Sequence, residues 1–268
     1  MHRRRILSAA VLLPPFVLLV HLGTPFQFFL LVLVAIFVGL IEFYAMARAG
    51  GMEALRPLGI AAGLSLSGVM FFKASSGPWL ASALAGLVMA LFVGLLVGGK
   101  DPKGAAVRLS ITLLGVVYVA GLLSFPALLR AMNQGRTYVF YLALVTWAGD
   151  IGAFYVGTML GKHRLSPSIS AGKTVEGGLG GLLCSVLASC LAKVWFWDRL
   201  GFVQCLALGL GLGVVGQVGD LCESMLKRSF GVKDAGDLIP GHGGVLDRVD
   251  SVQFTGPVLY LAILAGLV

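Results

Sequence analysis

Residues 26–47 read FQFFLLVLVAIFVGLIEFYAMA, 22 positions that contain a single charge, Glu42. A run of this length crosses the hydrocarbon core of a bilayer as a helix. It is too continuously apolar for a barrel strand, whose residues alternate between lipid and lumen. Comparable runs recur along the whole chain. The pattern predicts nine spans, at residues 6–22, 26–47, 57–72, 78–98, 109–129, 138–160, 175–197, 202–226 and 252–268. With 58% hydrophobic residues, only 12% charged residues and a mean hydropathy of +0.95, a soluble fold of 268 residues is excluded. The expected class is all-α, a polytopic integral membrane protein.

Charge placement gives these spans an expected direction. With the N-terminus in the cytoplasm and nine crossings, the far side holds Lys73, Arg130, Arg136, Lys193 and Arg199, and the other 15 of the 20 cations are cytoplasmic. The net charge of +8 therefore reads as topology. No basic stripe with interleaved aromatics is present, so no nucleic-acid partner is expected. Cys184, Cys190, Cys205 and Cys222 lie in apolar segments without a CxxC pair, and read as packing residues. The N-terminus has a basic start and an apolar core, yet no small-x-small cleavage site, so it reads as a spanning helix. Pro14 and Pro15 are expected to kink it.

Up to residue 136 polar side chains are sparse, and this part reads as a transmembrane scaffold. Glu42 is its one acid inside a span; near the end of its helix, it is expected to reach the interface. Gly63, Gly68, Gly86 and Gly94 read as helix-packing positions. Residues 137–268 hold the chemistry. Residues 219–251, GDLCESMLKRSFGVKDAGDLIPGHGGVLDRVDS, gather six carboxylates (Asp220, Glu223, Asp234, Asp237, Asp247, Asp250) and four cations (Lys227, Arg228, Lys233, Arg248). Charges concentrated this way in a membrane protein point to a polar substrate or an ion. On a helix Asp220, Ser224 and Lys227 fall nearly in line, with Glu223 beside them. Asp247 and Asp250 repeat a carboxylate pair around Arg248. Between the pairs, Pro240-Gly-His242-Gly243-Gly244 lets backbone approach a ligand. Carboxylate pairs beside Lys and Ser suit Mg²⁺ bridging protein oxygens to phosphates.

A second constellation spans residues 146–181. Asp150 lies within an apolar span, where an unpaired carboxylate is costly. At helical spacing it shares a face with Phe154, Gly157 and Gly161, a groove of small residues. The loop that follows offers Lys162, His163, Arg164 and Lys173. Residues 168–174, SISAGKT, carry phosphate-loop elements, but Pro167 stands where GxxxxGK[ST] needs Gly. What remains is Lys173 and a helix starting near Thr174, whose free N–H groups suit phosphate oxygens.

These residues resemble a known family. Ser224-Met-Leu-Lys227-Arg228, Lys233-Asp234-Ala-Gly236-Asp237-Leu-Ile-Pro240-Gly-His242-Gly243-Gly244 and Asp247-Arg248-Val-Asp250 are similar to the signature of the phosphatidate cytidylyltransferases, or CDP-diacylglycerol synthases. Asp150, Gly152, Ala153, Gly161, Lys162, Ser170, Lys173, Thr174, Glu176 and Gly177 match the family's upstream pattern. The chain departs from it at Ile151 and Ala171, where Thr and Pro are usual. The resemblance covers residues 146–251. It implies that CTP and phosphatidic acid react at the membrane to give CDP-diacylglycerol and pyrophosphate.

The roles expected on that basis are these. Asp220 and Asp247 hold Mg²⁺, with Asp150, Glu223 and Asp250 as further candidates. Asp220, Ser224, Lys227, Asp247 and Asp250 form the catalytic set. Lys173, Thr174, Arg228, His242, Gly243, Gly244 and Arg248 bind substrate. A homodimer is implied by the resemblance alone, and the chain's compact length points to a bacterial plasma membrane with the site facing the cytoplasm. A transporter or channel is the competing class, although its usual internal repeat is not found. A CTP-using polyprenol kinase is the competing enzyme.

Overall fold

The computed structural model describes residues 2–73, 77–98, 102–236 and 243–268. Almost all of it is helical, as the apolar runs predict. The elements are α1 (His2–Leu22), α2 (Pro25–Ala49), α3 (Arg56–Lys73), α4 (Gly77–Val97), α5 (Ala105–Gly115), a π-helical segment (Val116–Gly121), α6 (Phe125–Ala131), α7 (Gly135–Leu160), β1 (Arg164–Ser166), β2 (Ser170–Thr174), α8 (Val175–Trp195), α9 (Phe202–Ser229) and α10 (Leu246–Leu264). Six of the helical stretches are long and apolar enough to cross a membrane: Pro25–Ala49, Pro78–Val97, Ala105–Ala131, Gly135–Leu160, Val175–Trp195 and Phe202–Ser229. The protein is a multi-pass membrane protein. The all-α expectation missed one feature, the antiparallel hairpin of β1 and β2, which pairs Arg164 with Thr174.

The chain forms two compact units. One comprises Met1–Ala131 with Lys227–Arg248, the other Met132–Leu226 with Val249–Val268. In the first unit, α2 is the buried element. Thr24 caps it by accepting from Gln27 N–H, while the Gln27 side chain accepts from Thr24 N–H, so two otherwise orphaned donors are satisfied. The Tyr44 hydroxyl donates to the Thr112 carbonyl over 2.9 Å. Its ring lies against Gly115, where a Cβ would sit 2.7 Å from ring carbon. Further along α2, Phe43 meets the Phe230 ring edge-on at 5.7 Å. A Cβ on Gly39 would stand 3.0 Å from Leu246 Cδ2. The segment 227–248 is thus packed onto the helix that opened the sequence reading.

The glycines of this unit divide. Gly63 faces Leu40 and Ala120, and Gly94 faces Leu58, as packing positions should. Gly68 and Gly86 meet no described atom within 4 Å, so their expected packing role is not found among the described residues. Gly86 lies on α4, which turns most of its side chains outward. That is the lipid-facing arrangement of an apolar helix at the edge of a bundle.

In the second unit α7 and α8 lie antiparallel along a seam of small residues. Tyr141 reaches Ser189 (2.7 Å), Gly149 faces Ser185, Gly152 faces Cys184 and Gly180, and Gly157 faces Gly177. The helices approach closely because lipid offers no hydrophobic drive toward association, leaving packing and hydrogen bonds to provide it. Ser185 donates to the Val145 carbonyl and Ser189 to that of Cys205, adding polar contacts in an apolar setting. Gly152→Val should overpack this seam, since even a Cβ there stands 2.7 Å from Cys184 Cβ and 3.0 Å from the Gly180 carbonyl. We expect a loss of about 1–3 kcal/mol, read as a lower thermal midpoint in detergent. Gly86→Ala is expected to leave the midpoint unchanged or slightly raised.

Candidate active site

Within the second unit, α9 brings Asp220 and Glu223 to one face at a spacing of three residues, and α10 supplies Asp250. One carboxylate oxygen from each of these three lies within 4.8 Å of the other two. Like charges at that distance repel strongly unless a cation or proton intervenes. Glu223 is 1% exposed, which sharpens the cost. Lys173, from β2, brings Nζ to 2.8 Å of Asp220 Oδ1. The approach is an ion pair rather than an aligned hydrogen bond, because Nζ has no hydrogen-bond partner among the described residues. Three carboxylates with hard oxygen donors could hold a metal ion.

Ser251 ties this group to α7. Its hydroxyl donates to Asp150 Oδ1 over 3.1 Å and its backbone N–H to Asp250 Oδ1 over 2.7 Å. One residue therefore orients two of the candidate acids. The groove expected beside Asp150 is filled at its far end: Gly157 and Gly161 receive Thr174 and Gly177 from the start of α8. These glycines admit a helix end, not a ligand.

The loop between α7 and α8 is built around Glu176. Its Oε2 accepts from the backbone N–H groups of Lys162 (3.0 Å) and His163 (3.2 Å), and its Oε1 meets His163 Nδ1 at 2.6 Å. Thr174 is the N-cap of α8, with its Oγ1 accepting from Gly177 N–H over 3.1 Å. The helix start was predicted at this residue, and the cap explains it. Lys173 is held on the strand immediately before the cap.

Within the first unit, Asp247 is enclosed by donors. Lys227 Nζ gives a hydrogen bond to Oδ1 over 2.6 Å, and Oδ2 accepts from Gly244 N–H (2.8 Å) and Ala235 N–H (3.0 Å). Gly243 adopts φ +79°, and a Cβ there would lie 2.7 Å from Asp247 Oδ2, so the turn demands glycine. Beyond Lys227 the helix closes with Gly231 at φ +70°. Val232 N–H returns to the Lys227 carbonyl, and the Arg228 guanidinium donates to the Val232 carbonyl over 3.1 Å. Arg228 and Arg248 are exposed. Asp237, Pro240 and His242 lie outside the described residues.

Glu42, near the end of α2, is enclosed by protein. It is 7% exposed, with Oε1 accepting from Val245 N–H and Oε2 from Leu246 N–H, each at 2.9 Å. An apolar helix retains a carboxylate there because the first turn of α10 presents N–H groups that no intrahelical carbonyl can satisfy. The sequence signal was present, as the only acid inside a span of the first half. Its partner, some 200 residues away, was not visible. Ser251 carried no signal beyond its proximity to Asp250.

The sequence model of the cytidylyltransferase family matches residues 3–265. Among curated proteins, the chain is 43% identical over 153 residues to a phosphatidate cytidylyltransferase of Staphylococcus aureus (strain COL), covering 57% of this chain and 58% of that protein. It is 42% identical over 148 residues to a phosphatidate cytidylyltransferase of Bacillus subtilis (strain 168), covering 55% of each. The match thus spans a little over half the length of these relatives. The family model, by contrast, runs through nearly every residue from the basic N-terminus to the last helix, and on that ground the chain belongs to the cytidylyltransferase family.

Proposed function

We propose that the protein is a phosphatidate cytidylyltransferase, converting CTP and phosphatidic acid to CDP-diacylglycerol and pyrophosphate. Family membership supports the nucleotide, the apolar helices support a lipid co-substrate, and the relatives' names support the reaction. The observation that carries the reading is the group Asp220, Glu223 and Asp250 with Lys173 paired to Asp220. A nucleotidyltransferase must hold a cation and phosphate together, which an acid triad with a paired ammonium suits, and the family match favours that reading over a channel or carrier.

In the proposed reaction a phosphate oxygen of phosphatidic acid attacks the α-phosphorus of CTP. The new P–O bond forms as the bond from that phosphorus to the bridging oxygen breaks, and pyrophosphate leaves with the electron pair. The nucleophile is already anionic at neutral pH, so no side chain has to remove a proton. The work lies in holding two polyanions together and offsetting charge on the leaving group. Asp220, Glu223 and Asp250 would hold Mg²⁺, with Asp150 oriented behind them through Ser251. Held by these residues, the ion would supply positive charge to offset that of the phosphates.

Asp247 is a further candidate ligand. Three donors already surround its carboxylate, leaving roughly one lone-pair direction for an ion. Lys173, Lys227, Arg228 and Arg248 neutralise phosphate charge, and Ser224 donates to a phosphate or to the ion's water. Thr174, Gly243 and Gly244 contribute backbone and hydroxyl contacts, with His242 as a further donor. Residues 1–136 act as scaffold and 137–268 carry the catalytic groups, with Glu42 the exception. We place the protein in a bacterial plasma membrane, crossing it nine times with the site toward the cytoplasm, and read it as a homodimer on family resemblance.

Purified protein given phosphatidic acid and CTP labelled in its β- and γ-phosphates is expected to release labelled pyrophosphate and form a CDP-lipid. Transfer of the γ-phosphate instead would assign a lipid kinase, and neither product would favour a carrier. Chelation of divalent ions should abolish turnover, and added Mg²⁺ should restore it. Asp220→Asn and Asp250→Asn should each lower turnover by about 100-fold or more. Near-normal rates for Asp220→Asn and Asp247→Asn at saturating Mg²⁺ would remove both from the metal assignment.

A further inference from the structure

We infer that Glu42, on α2, is a positioning residue for the reaction, acting through the backbone of residues 244–246 on Asp247. The inference rests on the proposed cytidylyl transfer. Three consecutive N–H groups share two carboxylates. Gly244 N–H goes to Asp247, while Val245 and Leu246 N–H go to Glu42. Asp247 also accepts from Ala235 N–H and pairs with Lys227. The turn that orients Asp247 and Lys227 is therefore fixed from the opposite side by Glu42.

The packing is tight around the Glu42 carboxylate. A Cβ on Gly244 would stand 2.7 Å from Oε2, and one on Gly236 would stand 3.1 Å from Oε1. Backbone from both Gly236 and Gly244 approaches the same carboxylate, and only glycine permits this closeness. An apolar residue would fill the space on α2 at lower cost to a membrane helix. A carboxylate held there suggests a demand on orientation: two acceptors with fixed direction keep residues 244–246 in one conformation. Glutamine retains the shape and removes the charge. One of its two terminal atoms is a donor, so one of the two N–H groups loses its acceptor. Aspartate keeps both acceptors but draws them back by one methylene.

The test measures kcat, KM for CTP and thermal midpoint for the wild type, Glu42→Gln and Glu42→Asp in detergent. Rates are taken well below the midpoint and normalised to folded protein. The expected result is a kcat reduced by about 10-fold or more in Glu42→Gln, as for other residues that orient a reacting group from behind. KM for CTP should change much less, and Glu42→Asp should recover part of the loss. Combined with Asp247→Asn, Glu42→Gln should add little further loss, because both act through one group. Wild-type kcat per folded molecule in Glu42→Gln, or losses that multiply fully in the double variant, would overturn the inference and leave Glu42 a helix cap. A wild-type protein that forms no CDP-lipid would overturn the functional reading, and the role of Glu42 with it.

Discussion

A carboxylate within an apolar helix bundle must be matched by donors or by a cation, because water is not there to solvate it. Most of what is distinctive in this protein follows from that requirement. Glu42 meets it with two backbone N–H groups, and Asp247 with a lysine and two N–H groups. Asp220, Glu223 and Asp250 are instead gathered together, with Lys173 paired to Asp220, in a group that could hold a metal ion.

The contrast separates acids enclosed by donors from acids gathered against one another. Where the donors saturate a carboxylate, as at Glu42, its charge is spent on holding backbone. Where carboxylates face one another, the free energy of their repulsion is available to bind a metal ion. The same economy governs the cations. Lys193 donates to the carbonyls of Asp198 and Leu200 and thereby closes a turn. Lys173 and Lys227 instead sit against the carboxylates of Asp220 and Asp247.

Glycine makes these arrangements possible in two ways. Gly152, Gly157 and Gly177 bring α7 and α8 together, so the hairpin bearing Lys173 emerges from a rigid base. Gly236, Gly243 and Gly244 let backbone press against the carboxylates of Glu42 and Asp247. Gly68 and Gly86, identical in sequence character, do neither. Their surroundings differ: a glycine on an outward face has only lipid to meet.

The sequence alone determined the helical membrane class, because apolar length is a local property that lipid reads directly. It also singled out candidate residues for the chemistry, because charge is expensive in such a chain and motif spacing is local. The N-cap at Thr174 was legible for the same reason. The hairpin of β1 and β2 was not, since five residues of polar strand carry no periodicity that distinguishes them from a loop. Nor was the division of acids. Asp220 grouped with Glu223 and Asp250, Asp247 enclosed by its own turn, and Glu42 holding the start of α10 all depend on pairings across long sequence separations. Those pairings come from helix packing, and only the tertiary structure could decide which acid meets another acid and which meets a donor.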